Sequence, residues 1–254
     1  MPPETLQVVA LGLIQGATEL LPVSSSAHIA AVPQLLGWSV AEWTPERRKE
    51  LEVALHAGAL LALAPALWRA RPDVKTLALS LAPPVIVGYV LEQPIEERLG
   101  GPAGLAAGLM LGAAALAAAD RSAPRAAGGR GGIRARHAAA LGAAQAAALW
   151  PGVSRTGATL AGARALGYDR AEASRLSFGV AGPVLAGATA LKAWRGRRDA
   201  HLKLVGTGTA AAFTGTAAAL TLLGLERRRP LWPFAAERVV LAGAILALRY
   251  GRAR

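Results

Sequence analysis

The sequence predicts an all-α, polytopic integral membrane protein, a single transmembrane domain over residues 1–254 in two similar halves. Three observations predict it. Of the 254 residues, 53% are hydrophobic and 17% charged, with a mean hydropathy of +0.36, where ordinary globular domains run at about 45–50% apolar and about 25% charged. The apolar excess lies in Ala, Leu and Gly rather than in Val, Ile, Phe and Tyr, a composition that suits closely packed helices in lipid better than a β core. The 28 Lys and Arg residues, against 16 Asp and Glu, stand in clusters between uncharged runs instead of covering a surface.

The uncharged runs are 5–18, 20–41, 53–68, 76–91, 99–119, 137–154, 156–163, 176–191, 204–225 and 239–248. Several approach the ~20 residues that a helix needs to cross a bilayer core. The first two are interrupted by Leu21-Pro22-Val23-Ser24-Ser25-Ser26, where Pro stops a helix and hydroxyls can satisfy freed backbone groups, so the segment reads as helix–loop–helix rather than one straight span. Runs 53–68 and 76–91 are separated by the basic cluster Arg69–Lys75, and 76–91 leads to the acidic link Glu92, Glu96 and Glu97. The run 99–119 carries Gly104, Gly108 and Gly112 at four-residue spacing, a shallow face that lets a neighbouring helix approach. Ser122–Gly132 is a flexible-looking stretch of Gly, Arg and Pro near the midpoint. Beyond it, Trp150-Pro151-Gly152-Val153-Ser154-Arg155-Thr156 breaks a second apolar segment in the same manner.

Positive-inside counting places 69–75 and 121–136 in the cytoplasm and 92–98 outside. Clusters at 192–203 and 249–254 agree, whereas a single crossing through 204–225 puts Arg227–Arg229 outside, against the rule. Met1–Glu4 has no positive region ahead of the first apolar run, so the first segment is expected to stay in the mature protein. The absence of cysteine excludes disulfide scaffolds and thiolate chemistry. Nucleic acid is not an expected partner despite the net charge of +12, because the basic residues sit in short loops where lipid headgroups meet them.

The halves, about 1–120 and 137–254, correspond at an offset of 130: Leu11, Gly12, Gln15, Val23 and Ser24 match Leu141, Gly142, Gln145, Val153 and Ser154, and Ser26 faces Thr156. Two copies of an interrupted apolar segment are the pattern of repeats that cradle a site near the bilayer.

Charge isolates that site. Glu19 is the sole formal charge within 5–41, and Arg155 within 137–163. A charge at the centre of a membrane helix costs about 2.5–3.5 kcal/mol even on lenient scales, so the two read as partners in a water-filled pocket. Around Arg155 stand Ser154, Thr156 and Thr159 and the backbone amides of a new helix, an anion site that fits a phosphate. Around Glu19 stand Ser24, Ser25 and Ser26 as hydroxyl candidates and His28 as a base, the complementary set for attack on phosphorus. Glu19 itself can accept a proton or hold a divalent cation, Mg²⁺ or Ca²⁺ by its oxygen chemistry. Glu52 and His56 share a helix face, and Glu52 and Gln145 are candidate supporting residues. A transporter or flippase for a polyprenyl phosphate lipid is the alternative; it would use paired broken helices but no nucleophile.

The motifs Gln15-Gly-Ala-Thr-Glu19, Pro22–His28 and Pro151-Gly-Val-Ser-Arg-Thr-Gly-Ala-Thr159, with Leu51-Glu-Val-Ala-Leu-His-Ala-Gly58 and Ala173-Ser-Arg-Leu-Ser-Phe178 before Gly182-Pro183, resemble the undecaprenyl-diphosphate phosphatase family of the bacitracin-resistance type. The resemblance runs nearly end to end. It implies a multi-pass enzyme of the bacterial plasma membrane with an outward-facing active site. That enzyme removes the terminal phosphate of undecaprenyl (C55) diphosphate, recycling the lipid carrier for peptidoglycan synthesis. It also implies two re-entrant hairpins in an inverted repeat, and a homodimer is a further expectation. Carried over by position, Gln15 and Glu19 match the acidic signature, Ser25 and His28 the hydroxyl and histidine, and Ser154, Arg155 and Thr159 the phosphate loop. Ser25 is the favoured nucleophile and direct attack by His28 the alternative. Three positions depart from the family's habit: Gln15 where Glu is common, Ser26 where Thr is common, and Ala27 where Gly is usual. Gln15 weakens any mechanism that needs two carboxylates on one metal.

Overall fold

Pro and hydroxyl residues divide the apolar sequence into ten α-helices and one short 3-10 turn, with no strand, among the residues described by the computed structural model: 2–121, 133–195, 202–224 and 230–251. The helices are α1 (Glu4–Leu20), α2 (Ser25–Leu35), α3 (Pro45–Ala70), α4 (Val74–Leu99), α5 (Pro102–Arg121), α6 (Ala135–Ala147), α7 (Arg155–Ala165), α8 (Arg170–Arg195), α9 (Leu202–Leu223) and α10 (Trp232–Gly251). The turn, Ser39–Glu42, joins α2 to α3. Local chemistry sets the boundaries. Thr44 caps α3 by accepting from the Arg47 amide, with Pro45 at the first helical position, and Asp73 caps α4 by accepting from both the amide and hydroxyl of Thr76. α3, α4 and α5 are long and apolar enough to cross a membrane by themselves. The all-helical, polytopic expectation therefore stands.

Both interrupted segments fold as expected into helix, loop and helix, and each loop feeds an eleven-residue helix, α2 or α7. The basic stretches 122–132, 196–201, 225–229 and 252–254, on which much of the charge counting rests, lie outside the described residues.

Glycine governs how closely the helices approach. α9 is flanked by α1 and α3. A Cβ at Gly16 would stand 2.3 Å from the Thr216 nitrogen, and one at Gly58 would stand 2.1 Å from the Thr209 carbonyl oxygen. Leu11, Leu55 and Ala212 complete one packed cluster there, and Leu20, Leu63, Phe178 and Ala219 a second. α5 packs against α10, α4 against α6, and α7 against α5, α6 and α8. α4 shows a mostly exposed apolar face, with Val85, Ile86, Tyr89 and Val90 turned outward.

The glycine stripe of α5 admits close approach. Gly108 leaves room for the Pro151 carbonyl oxygen, which would lie 2.1 Å from a Cβ there, and Gly112 leaves room for the guanidinium of Arg238 on α10, 1.9 Å away. A Cβ at Gly104 would meet the backbone of Leu99, the last residue of α4. The stripe thus seats the second loop as well as one arginine of the neighbouring helix α10.

Candidate active site

The two loops share one local device. α1 ends at Leu20, and the chain runs through Leu21, Pro22 and Val23 into Ser24, whose φ is +70°; α6 ends at Ala147, and the chain runs through Gly152, at φ +95°, into Ser154 at φ +61°. Ser24 and Ser154 are the two non-glycine residues with positive φ among the described residues. Such a conformation costs about 1–3 kcal/mol and persists only where its surroundings enforce it. The next residue starts a helix in each case, so Ser25 opens α2 and Arg155 opens α7. Ser154 caps α7 by accepting from the Gly157 amide at 3.2 Å.

Ser25 and Arg155 meet at Glu19, which is 6% exposed. Oε2 accepts from Ser25 Oγ at 2.7 Å and from Gln15 Nε2 at 2.9 Å, and Oε1 accepts from Arg155 Nη2 at 2.9 Å. The isolated charges of the two halves are therefore an ion pair, and the serine hydroxyl is aimed at the same carboxylate. Arg155 Nε and Gln15 Oε1 are buried without partners among the described residues. An unpaired guanidinium nitrogen beside a helix N-terminus is suited to an incoming phosphate oxygen.

A cavity of about 860 Å³ opens on this group. Glu19, Ser24, Ser25, Ser26, Ser154, Arg155 and Thr156 line it, as do Glu52 and His56 from α3 and the apolar Leu105, Leu185, Ile245 and Leu248. A polar head beside an aliphatic wall suits an amphiphile with a charged end.

Three expected site residues stand elsewhere. His28 does not line the cavity: Nδ1 donates to the Ser24 carbonyl at 2.9 Å and Nε2 faces Glu237 Oε1 at 3.0 Å, so both ring nitrogens are engaged. In this arrangement neither nitrogen is directed to Glu19 or Ser25. Thr159 is fully buried and donates to the Arg155 carbonyl at 2.8 Å, beside Ser177, so it braces the first turn of α7 from behind. Gln145 donates to the Ser80 carbonyl at 3.0 Å and ties α6 to α4, well apart in role from its repeat mate Gln15.

The sequence reading missed Glu237 and Arg238 of α10. They are the charged pair of an otherwise apolar segment, 231–248, and the isolated-charge argument applied to Glu19 would have found them had the last run been drawn from 231 instead of 239. Ser177 was quoted only within a longer motif; its hydroxyl bonds the Thr156 carbonyl at 3.2 Å.

A divalent cation held by Glu19 does not fit this donor set. Both carboxylate oxygens are committed, one to a guanidinium, and position 15 supplies an amide in place of a second carboxylate. Among the described residues no three His, Asp or Glu stand together as a metal cluster. Mg²⁺ or Ca²⁺ fits better as a companion of a diphosphate than as a group the protein holds.

Comparison with known proteins adds the following. The family model described as "Bacitracin resistance protein BacA" matches residues 8–244. A protein named undecaprenyl-diphosphatase from Trichlorobacter lovleyi is 38% identical over 117 residues, which cover 37% of this chain and 40% of that protein. Undecaprenyl-diphosphatase 1 from Rhodospirillum rubrum is 47% identical over 64 residues, covering 25% and 23%, and the undecaprenyl-diphosphatase of Pelobacter propionicus is 52% identical over 58, covering 23% and 19%. The chain thus spans at most about two fifths of the length of these curated relatives.

Proposed function

The chain belongs to the bacitracin resistance protein BacA family, and on that premise we propose that it is a membrane phosphatase that hydrolyses undecaprenyl diphosphate to undecaprenyl phosphate and inorganic phosphate. The observation that carries the proposal is the convergence of Ser25, Glu19 and Arg155 across the two loops, with Arg155 Nε left unpaired beside the start of α7. The names of the relatives supply the substrate class.

In this mechanism the terminal phosphate binds at Arg155, Ser154 and the first amides of α7, which oppose its charge as it grows in the transition state. Ser25 Oγ attacks the terminal phosphorus. The new Oγ–P bond forms as the bridging P–O bond breaks, the lipid monophosphate leaves, and the hydroxyl proton passes to Glu19 Oε2, already 2.7 Å away. Water then attacks the phosphoserine, releases phosphate and restores the proton to Ser25. A divalent cation, if carried in by the diphosphate, neutralises part of its charge; no step depends on a protein-held ion. Ser24, Ser26 and Thr156 complete the polar wall, and the apolar residues opposite receive the first isoprene units.

The proposal extends to the bacterial plasma membrane, with the cavity open to its outer face, and to an inverted orientation of the two halves; the paired positive-φ serines support the repetition itself. A homodimer belongs to the same reading, with the α4 face available to lipid or to a second copy. The test is phosphate release from a long-chain polyprenyl diphosphate by detergent-purified protein, with and without chelator, for wild type, Ser25→Ala and Arg155→Ala. Activity lost in both folded variants supports the proposal; a wild type that binds the lipid and releases no phosphate replaces it with a lipid transporter.

A further inference from the structure

Arg238 is the largest fully buried side chain near the site, with no exposed surface. Its Nε donates to the Pro22 carbonyl at 2.7 Å and its Nη1 to the Val153 carbonyl at 3.0 Å. Those acceptors belong to the first and second loops respectively, just ahead of the positive-φ residues Ser24 and Ser154. One side chain from α10, a helix outside both hairpins, therefore grips both.

The seat is made for a guanidinium. A Cβ at Gly112 would stand 1.9 Å from Nη1, and one at Gly157 would stand 2.3 Å from Nη2. Two carbonyls that point from different segments can be bridged by a planar fork with fixed donor directions, whereas an ammonium presents a single point. The neighbouring Glu237 reaches His28 Nε2 at 3.0 Å, so the same turn of α10 also anchors α2. Burying a charge this deeply is unfavourable unless its hydrogen bonds are specific. Arg238 does not line the cavity; its Nη2, buried without a hydrogen-bond partner among the described residues, lies behind Gly157 in the first turn of α7.

We infer that Arg238 is a positioning residue that fixes the spacing of the two loops, and through it the approach of Ser25 to phosphorus held at Arg155; the inference rests on the phosphatase reading above. Ser25 is three residues beyond one gripped carbonyl and Arg155 two beyond the other, so a shift of either loop moves nucleophile and phosphate apart. The phosphate-binding groups all lie on the second loop and α7. Release of the clamp therefore lowers turnover far more than it weakens binding.

The experiment uses the full chain in detergent and two variants, Arg238→Lys and Gly112→Ala; the second keeps the arginine and pushes its guanidinium off the Val153 carbonyl. Two readouts are taken: kcat and KM on a long-chain polyprenyl diphosphate, and amide hydrogen exchange along the chain. A misplacement of about 1 Å is enough to lose about 10²-fold in rate, so both variants are expected to lose kcat on that scale while KM moves less than about threefold. Exchange is expected to rise at 21–28 and 150–158 in Arg238→Lys, with α3 and α9 unchanged. Wild-type kcat in either variant overturns the inference. So does exchange that rises evenly over the chain, with turnover lost only in proportion to unfolded protein, because that is a merely structural role. If Arg238→Lys is recovered unfolded, Gly112→Ala decides by the same two readouts. A wild type that releases no phosphate refutes the phosphatase reading alone; the exchange comparison then still decides whether Arg238 clamps the loops.

Discussion

Replacing Glu19 by Gln keeps the shape of the side chain and removes its charge, so it isolates what the carboxylate does. Three donors point at Glu19: Arg155 at 2.9 Å, Ser25 at 2.7 Å and Gln15 at 2.9 Å. A glutamine offers one acceptor oxygen and one donor group. With its oxygen toward Arg155, its NH₂ faces Gln15 Nε2 and Ser25; with its oxygen toward Ser25, its NH₂ faces the guanidinium. The first orientation is the better one, because a hydroxyl can turn to accept and an arginine cannot. Ser25 then has no base. Hydrogen bonds to charged groups are worth about 1.5–3 kcal/mol against about 0.5–1.5 for neutral ones, so converting three of them destabilises by about 2–3 kcal/mol, discounted because Arg155 keeps some contact with water. Loss of a general base lowers kcat by about 10²–10⁴-fold. The assays are phosphate release at saturating lipid and thermal unfolding in the same detergent. A Glu19→Gln protein that keeps more than about a tenth of wild-type kcat refutes the assignment, since among the described residues Glu19 is the one side chain hydrogen-bonded to Ser25 Oγ that can take the proton.

Ser25→Ala should abolish turnover and leave lipid binding near wild type, read by phosphate release beside lipid titration; an acid-stable phosphoprotein should be trapped in wild type and missing in the variant. Arg155→Lys loses the planar fork and should raise KM by about tenfold or more, the scale of one charge-assisted bond. Gly16→Ala, which forces a Cβ to 2.3 Å from the Thr216 nitrogen, should destabilise by about 1–3 kcal/mol in a melting experiment. Gly243→Ala, in open space, should be neutral or stabilising by up to about 1 kcal/mol. The Thr76 hydroxyl and amide hold the Asp73 carboxyl below its ordinary value of 3.8. The folded pKa is the lower one, so the cap contributes fully above the ordinary value and fades as pH falls through the folded one. The melting temperature of Asp73→Asn should lack that acid-side decline.

Much of the fold was legible because lipid imposes two coarse rules: apolar runs must be helical, and breaks in them need polar company. The runs 5–18, 53–68 and 76–91 fall within α1, α3 and α4, and the Pro22 and Pro151 breaks become the loops. Glu19 and Arg155 were legible as a pair because each is the lone formal charge in its segment, and the structure joins them at 2.9 Å. The partner of His28 was not legible, because sequence adjacency to Ser25 says nothing about direction: the ring leaves α2 on the side facing Glu237, a partner from a helix about 200 residues away. The Gly104–Gly112 spacing identified a shallow face, and Arg238 of the neighbouring α10 approaches it, but spacing could not say that the second loop's Pro151 carbonyl would share it, since glycine marks close approach without saying what approaches. Gln145 matched Gln15 in register and parted from it in role because its amide meets the Ser80 backbone where Gln15 meets a carboxylate.

The way the helices pair carries a consequence for synthesis. α9 lies between α1 and α3, α10 lies on α5, and α6 lies on α4, so elements from the late part of the chain complete the early part. Neither half can reach its final packing by itself, and a ribosome that has delivered both serine loops has still not delivered the arginine that joins them. The cavity is therefore expected to acquire its working geometry when α10 enters the bilayer. Until then the nascent protein holds two strained turns with only the Glu19–Arg155 ion pair to keep them in register, a form open to quality-control proteolysis and poorly able to turn over the lipids around it.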